Sequence, residues 1–169
     1  VVVRNQASLW YTITAGLISG AFIGYLNSAQ QIFQEQYALG DLFSIYFSII
    51  AISLGLASFL NARLVMRFGM RTLVRTALYG ISGLALLAFS YTYFINIQPA
   101  LWLLMTYLML TFFCVGILFG NLNSLAMEPL GKVAGIGSAI VGSLSTIIST
   151  IIGAIIGQQY NGTILPLII

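Results

Sequence analysis

Residues 61–75 read NARLVMRFGMRTLVR and lie between two long apolar runs. Arg63, Arg67, Arg71 and Arg75 step through this stretch by fours and are four of the six basic residues in the chain. A guanidinium in hydrocarbon is costly, and charged side chains within spans are rare. Four of them in one short segment mark an aqueous turn at a membrane surface. The turn fixes the side on which its two neighbours end, and so the direction of every other apolar run.

Composition agrees with that reading. The chain has 169 residues, of which 60% are hydrophobic and 5% charged. A soluble domain carries about 25% charged residues, and its surface needs polar groups that this chain lacks. The class is therefore an all-α polytopic membrane protein. The net charge of +3 is clustered, so it reports topology rather than nucleic-acid binding. The segments between apolar runs are only a few residues long and leave no room for an aqueous catalytic domain. A single cysteine, Cys114, allows no internal disulfide, and the lack of histidine excludes a histidine metal site or histidine proton relay. No enzyme activity and no cofactor are expected.

A bilayer core about 30 Å thick takes roughly 20 helical residues. The runs predict spans at about 9–33, 42–65, 72–94, 99–127 and 133–158, with a sixth starting near 163 and cut off at 169. Strands are excluded, because the runs are too long and strict alternation is missing. The whole reads as one transmembrane half-bundle that starts before one span and stops inside another. Asp41 is expected to cap the second span. Pro99 opens the fourth, where a missing N–H is harmless. Glu128-Pro129-Leu130-Gly131-Lys132 closes the fourth. Asn161-Gly162 forms a turn after which Thr163 caps the sixth; a turn explains this sequon-like triplet more simply than glycosylation.

Charge tests the span count. Arg4, the four arginines and Lys132 fall on alternate connections, which together hold all six basic residues. The other connections, around Glu35 and Asp41, Asn96 and Asn161, hold none. The positive-inside rule makes the basic side cytoplasmic. A missed span would have scrambled the alternation.

Rows of small residues recur at helical spacing: Gly16, Gly20, Gly24 in span one, Ser44, Ser48, Ala51, Gly55, Ser58 in span two, and Gly135, Ser138, Gly142, Ser145, Ser149, Gly153, Gly157 in span five. Such rows let helices approach closely, and tight packing is the expected role of each. Uncharged amides gather beside aromatic rings in two places. Span one has Asn27, Gln30 and Gln31 near Tyr25 and Phe33; span four has Asn121 and Asn123 after Phe112, Phe113 and Phe119. Amides with rings suit a cavity for amphiphiles, and they suit interhelical hydrogen bonds equally well. No acid or lysine falls in mid-membrane, so the chain has no proton-carrying carboxylate of its own.

These residues resemble the C-terminal half of a major facilitator superfamily transporter, and more narrowly the Bcr/CflA-type drug:proton antiporters. The superfamily's inner turn is G-x-x-x-D-R-x-G-R-R. Here Arg67-Phe68-Gly69-Met70-Arg71 keeps R-x-G-x-R, while Ala62 replaces the first glycine and Met66 the aspartate. Phe22-Ile23-Gly24-Tyr25 with Gln30-Gln31-Ile32-Phe33 looks like the seventh span of such proteins. The run from Glu128 through Gly135, then Ser138-Ala139 and Gly162-Thr163-Ile164-Leu165-Pro166-Leu167, looks like their tenth-to-twelfth-span region.

The resemblance implies a twelve-span bundle working by alternating access, with substrate held between two halves near the midplane. It also implies efflux of drugs or other small amphiphiles against protons, with the coupling acid in the N-terminal half, and a bacterial inner-membrane location. Expected partners are the small amphiphilic substrate, protons, membrane lipids and the N-terminal half, and no nucleic acid. The candidate substrate-binding residues are Tyr25, Asn27, Gln31, Phe113 and Asn123. The candidate gating residues are Arg67, Gly69 and Arg71, acting as a cytoplasmic latch. The alternative is a membrane scaffold or assembly subunit that transports nothing.

Overall fold

The computed structural model describes residue 2, residues 5–95 and residues 98–168, with the side chains of 95, 132, 166 and 167 excepted. Arg4 and Asn96, and the side chain of Lys132, thus lie outside the described residues. Among the described residues there are helices and no strand. They run α1 (Gln6–Gln30), α2 (Phe43–Phe68), α3 (Met70–Ile95), α4 (Leu101–Met127), α5 (Ala134–Gln158) and a short α6 (Leu165–Ile168). The first five are long and apolar enough to cross a membrane.

Helix α4 is the centre of the bundle, touching α1, α2 and α3, and α5 is held mainly by α1. The reason is visible in the burial. Helix α4 buries Leu104, Leu108, Phe112, Val115, Leu118, Leu122 and Leu125, one three-and-four stripe, and beside it Met105, Ile117, Asn121 and Ala126, so that more than one face is covered. The α1–α5 seam is built on glycine. A methyl group on Gly16, Gly20 or Gly24 would lie 2.6–2.9 Å from Ile148, Ile152 or Ile156 of α5, and one on Gly153 would lie 2.5 Å from Ile23. The two backbones meet where side chains have been removed.

The expected packing role of the small-residue rows holds at this seam for Gly16, Gly20 and Gly24 and for Gly153 and Gly157 of α5, and fails for Gly135, Ser138 and Gly142 of α5, which are exposed, and on α2. Ser44, Ser48, Ala51, Gly55 and Ser58 are all exposed. The face that α2 turns to α4 is instead Ile50, Ser53 and Ala57, and a methyl on Gly116 of α4 would strike Leu54 O at 2.6 Å and Ala57 Cβ at 2.8 Å. Ser53 Oγ also donates to Met109 O at 2.6 Å. Bulk on one side of α2 and smallness on the other made the small side look like the contact.

Two capping expectations also change. Asp41 lies inside a 3₁₀ turn, Gly40–Leu42, entered through positive φ at Ala38 (+51°) and Gly40 (+52°), so it does not precede α2 as a cap. Thr163 is held instead in a local turn: Asn161 Oδ1 accepts from the Thr163 N–H at 3.2 Å and from its hydroxyl at 2.6 Å. The unforeseen cap is Asn5, whose side chain accepts from Ser8 N–H at 3.1 Å.

Contacts between connections show that the helices alternate in direction. Ser8 Oγ donates to Ala126 O at 2.7 Å, and Arg71 Nη2 lies 3.1 Å from Glu128 Oε2. These put the start of α1, the α2–α3 turn and the α4–α5 connection at one end. At the other end Tyr37 OH donates to Pro99 O at 2.7 Å, and Gln98 Nε2 to Gln36 O at 3.0 Å.

Candidate functional site

At Tyr25 the helices α1, α2 and α4 bring aromatic rings together. The Tyr25 ring meets Phe112 edge-on at 4.6 Å and lies parallel to Phe47 at 6.2 Å. Phe22 adds contacts of 5.6 Å to Phe112 and 5.7 Å to Phe119. Phe22 and Tyr25 are three apart on α1 and so share a face, as α-helical spacing requires. The rings enclose a small cavity of about 110 Å³ whose mouth carries the exposed Leu26 and Ala51. Tyr25 itself is buried, and its hydroxyl has no hydrogen-bond partner. Such a group is expensive to leave unpaired.

The other candidate residues scatter. Gln31 sits at the start of a π-helical turn, Gln31–Gln36, with its Oε1 buried and unpartnered. Single-turn π segments are frequent at functional sites. Asn27 Nδ2 donates to Gly153 O at 3.2 Å, so this amide joins α1 to α5. Asn123 is exposed and donates to Phe119 O, one turn back on its own helix. Phe113 faces away from Tyr25, packing with the Leu118, Ala57 and Leu73 cluster. Asn121, for which a cavity amide and an interhelical bond were equally expected, is buried and ties α4 to α2 by donating to Asn61 Oδ1 at 2.7 Å. Phe112, Phe47 and Phe22 were not singled out as lining residues. The signal for Phe112 was its phase with Leu104 and Leu108, eight and four residues earlier.

The arginine turn is compact. Gly69 ends α2 at φ +77° and ψ 153°, and α3 starts at the next residue. Arg67 and Arg63 lie over the rings of Phe68 (5.3 Å) and Phe59 (5.8 Å), contacts of the cation–π kind. Arg71 pairs with Glu128, but both side chains are largely exposed, at 72% and 51%. An exposed pair of this kind contributes little to stability; what it does is link the turn to the connection after α4.

Five membrane-length apolar helices, α4 at their centre, define a polytopic α-helical membrane protein built as a half-bundle. The chain is 23% identical, over 188 aligned positions, to a bicyclomycin resistance protein homolog of Haemophilus influenzae, a match covering 99% of this chain and 44% of that protein. It is 25% identical over 157 positions to the uncharacterized MFS-type transporter YdgK of Bacillus subtilis, covering 92% of this chain and 38% of that one. No protein-family model matches the chain, and no solved structure does. Fold and relatives together support its assignment as part of a major facilitator superfamily transporter. The chain spans less than half the length of these relatives. The two relatives are named as a resistance protein homolog and an MFS-type transporter.

Proposed function

We propose that the chain is the C-terminal half-bundle of a proton-coupled transporter that exports drugs or other small amphiphiles by alternating access. The observation that carries this reading is the ring-lined cavity between α1, α2 and α4, with the buried Tyr25 among its walls. An apolar pocket with a few polar groups is what amphiphile recognition needs. Gln31 would add a second polar contact, and Asn27, Phe113 and Asn123 would meet substrate only in another state of the cycle. The name of the Haemophilus relative supports drug export.

The exposed small-residue faces of α2 and α5 suit close approach by other helices, and the N-terminal half of the same transporter is the proposed partner. That half would supply the proton-coupling acid, since Glu35, Asp41 and Glu128 all lie at span ends. Membrane lipids would cover the remaining apolar surface. The basic turn would face the cytoplasm of a bacterial inner membrane.

Dye efflux and bicyclomycin tolerance in cells carrying the whole gene, with and without an uncoupler, test this reading. Export that collapses with the proton gradient is expected. Export that survives the uncoupler would overturn coupling, and no export of any probe would favour the scaffold. Arg67→Ala is expected to slow transport in proteoliposomes several-fold while leaving substrate affinity nearly unchanged. Its side chain is exposed and far along the sequence from the ring cluster, so a latch role affects rate and not binding. An unchanged rate would remove Arg67 from the gate.

A further inference from the structure

Arg63 leans away from water. Its Cα lies about 9 Å along α2 from Gly69, on the membrane side of the turn. Helical side chains tilt toward the N-terminus of their helix, and α2 begins at the opposite end of the bundle, after Gly40–Leu42. A long cationic side chain ordinarily bends back to the surface. Here the guanidinium lies over Phe59, one turn deeper, at 5.8 Å from the ring centroid. Arg63 is exposed and Phe59 is 66% exposed, so the stacked pair sits on the outside of the bundle. Below it on the same face come Leu56 and Ile52, large, apolar and also exposed. From Arg63 to Ile52 the stripe is about 16 Å long, half the thickness of a hydrocarbon core.

The acids of the chain leave this charge unanswered. Glu35 and Asp41 belong to the other end of the bundle, and Glu128 is 3.1 Å from Arg71. Arg67 adds a second cation one turn nearer the surface, held over Phe68 at 5.3 Å. Like charges four residues apart on a helix repel, and a guanidinium at membrane depth is costly without an anion. One anion between the two relieves both. At headgroup depth that anion is a lipid phosphate, whose oxygens match the planar guanidinium fork, and basic clusters at span ends attract acidic lipids. A carboxylate of the N-terminal half is the rival. Against it, Arg63 is turned about 100° around α2 from the row of Ser48, Ala51, Gly55 and Ser58 that suits that half, and large apolar side chains line its own face.

We infer that Arg63 and Arg67 clamp the phosphate of one anionic phospholipid in the leaflet on the side of the arginine turn, with an acyl chain lying along Phe59, Leu56 and Ile52. The clamp requires only that the chain spans a membrane, so it does not rest on the transport reading. It would tether the α2–α3 turn to the headgroup layer.

For the test, full-length transporter stripped of lipid in detergent is titrated with phosphatidylglycerol or phosphatidylcholine, and bound lipid is counted by native mass spectrometry. Phosphatidylglycerol is expected to bind about 10-fold more tightly, since phosphatidylcholine carries its own cation. Glycerol 3-phosphate, the anion without the chains, is expected not to displace it. Arg63→Gln is expected to weaken phosphatidylglycerol about 5-fold, the share of one cation near the surface. Arg63→Lys keeps the charge and loses the fork and the stacking; Phe59→Leu keeps both charges and loses the ring. Each is expected to weaken binding about 3-fold. Both positions are exposed, so neither change disturbs the core. Equal affinity for the two lipids, displacement by glycerol 3-phosphate, or an unchanged affinity in Arg63→Gln overturns the clamp; the last is the result expected if a carboxylate of the N-terminal half pairs with Arg63. A loss in Arg63→Gln with full retention in both Arg63→Lys and Phe59→Leu would mean diffuse attraction to a basic surface and overturns it as well. Transport is not measured, so the proposed function stands or falls separately.

Discussion

Gly20→Ala is expected to destabilise the bundle, and Gly83→Ala is expected to stabilise it or leave it unchanged, although both replace glycine with alanine inside an apolar helix. At Gly20 the new methyl would lie 2.7 Å from Ile152 Cβ, and ordinary contact begins near 3.4 Å. Ile152 cannot relieve this by changing rotamer, because Cβ is fixed by the backbone and isoleucine is stiff at χ1. The α1 and α5 backbones must separate. Overpacking of this kind costs about 1–3 kcal/mol. Here the strain extends along the seam, since Gly16, Gly24 and Gly153 make the same close approach. At Gly83 nothing lies within 4 Å of the added carbon, so only helix propensity acts, which favours alanine by up to about 1 kcal/mol. Thermal unfolding of the two purified variants in one detergent reads the difference. Midpoints shifted together, in the same direction and by similar amounts, would mean that α1 and α5 do not meet at these glycines.

The same seam shows what was legible beforehand. Three glycines spaced by four announce a close approach, but smallness does not say to which neighbour. On α1 the row meets α5; on α2 an equally regular row faces outward, and the contact belongs to Ser53 and Ala57. The span count was legible because hydrocarbon thickness and the placement of charge are properties of the chain as a whole. The site was less so. Phe112 and Phe113 are one residue apart, which on a helix is about 100° of rotation, enough to send one to Tyr25 and the other to Leu73. Asn27 and Asn121 were read as cavity amides or interhelical bonds with equal reason. The structure bonds both across helices, to Gly153 O and to Asn61. A single sequence has no term for the partner on the other helix. Asp41 was misplaced for a local reason: the chain enters α2 through two residues at positive φ, a path that the generic capping pattern does not anticipate.

Gly69→Ala is expected to lower thermal stability about as much as Gly20→Ala and to abolish transport as well, through backbone strain alone. Nothing lies within 4 Å of where the methyl would go, so no clash is involved. The dihedrals are the cause. At φ +77° and ψ 153°, Gly69 occupies a region that is essentially glycine's own, and holding another residue there costs about 1–3 kcal/mol. The turn has no spare residue to absorb a change. The Gly69 N–H donates to Val65 O at 2.9 Å and its carbonyl accepts from Leu73 N–H at 3.3 Å, so hydrogen bonding passes from α2 into α3 through this one position. If the backbone rotates away, Arg67 and Arg71 turn relative to each other, and the 3.1 Å pair with Glu128 is lost. Gly69→Asn separates this explanation from the commonest alternative. Asparagine tolerates the left-handed helical region, but ψ 153° lies outside that region, so Gly69→Asn is expected to be as damaging as Gly69→Ala. Recovery of stability and transport in the asparagine variant would show that the turn is an ordinary left-handed one, and that the unusual geometry linking α2 to α3 is not what the arginine turn requires.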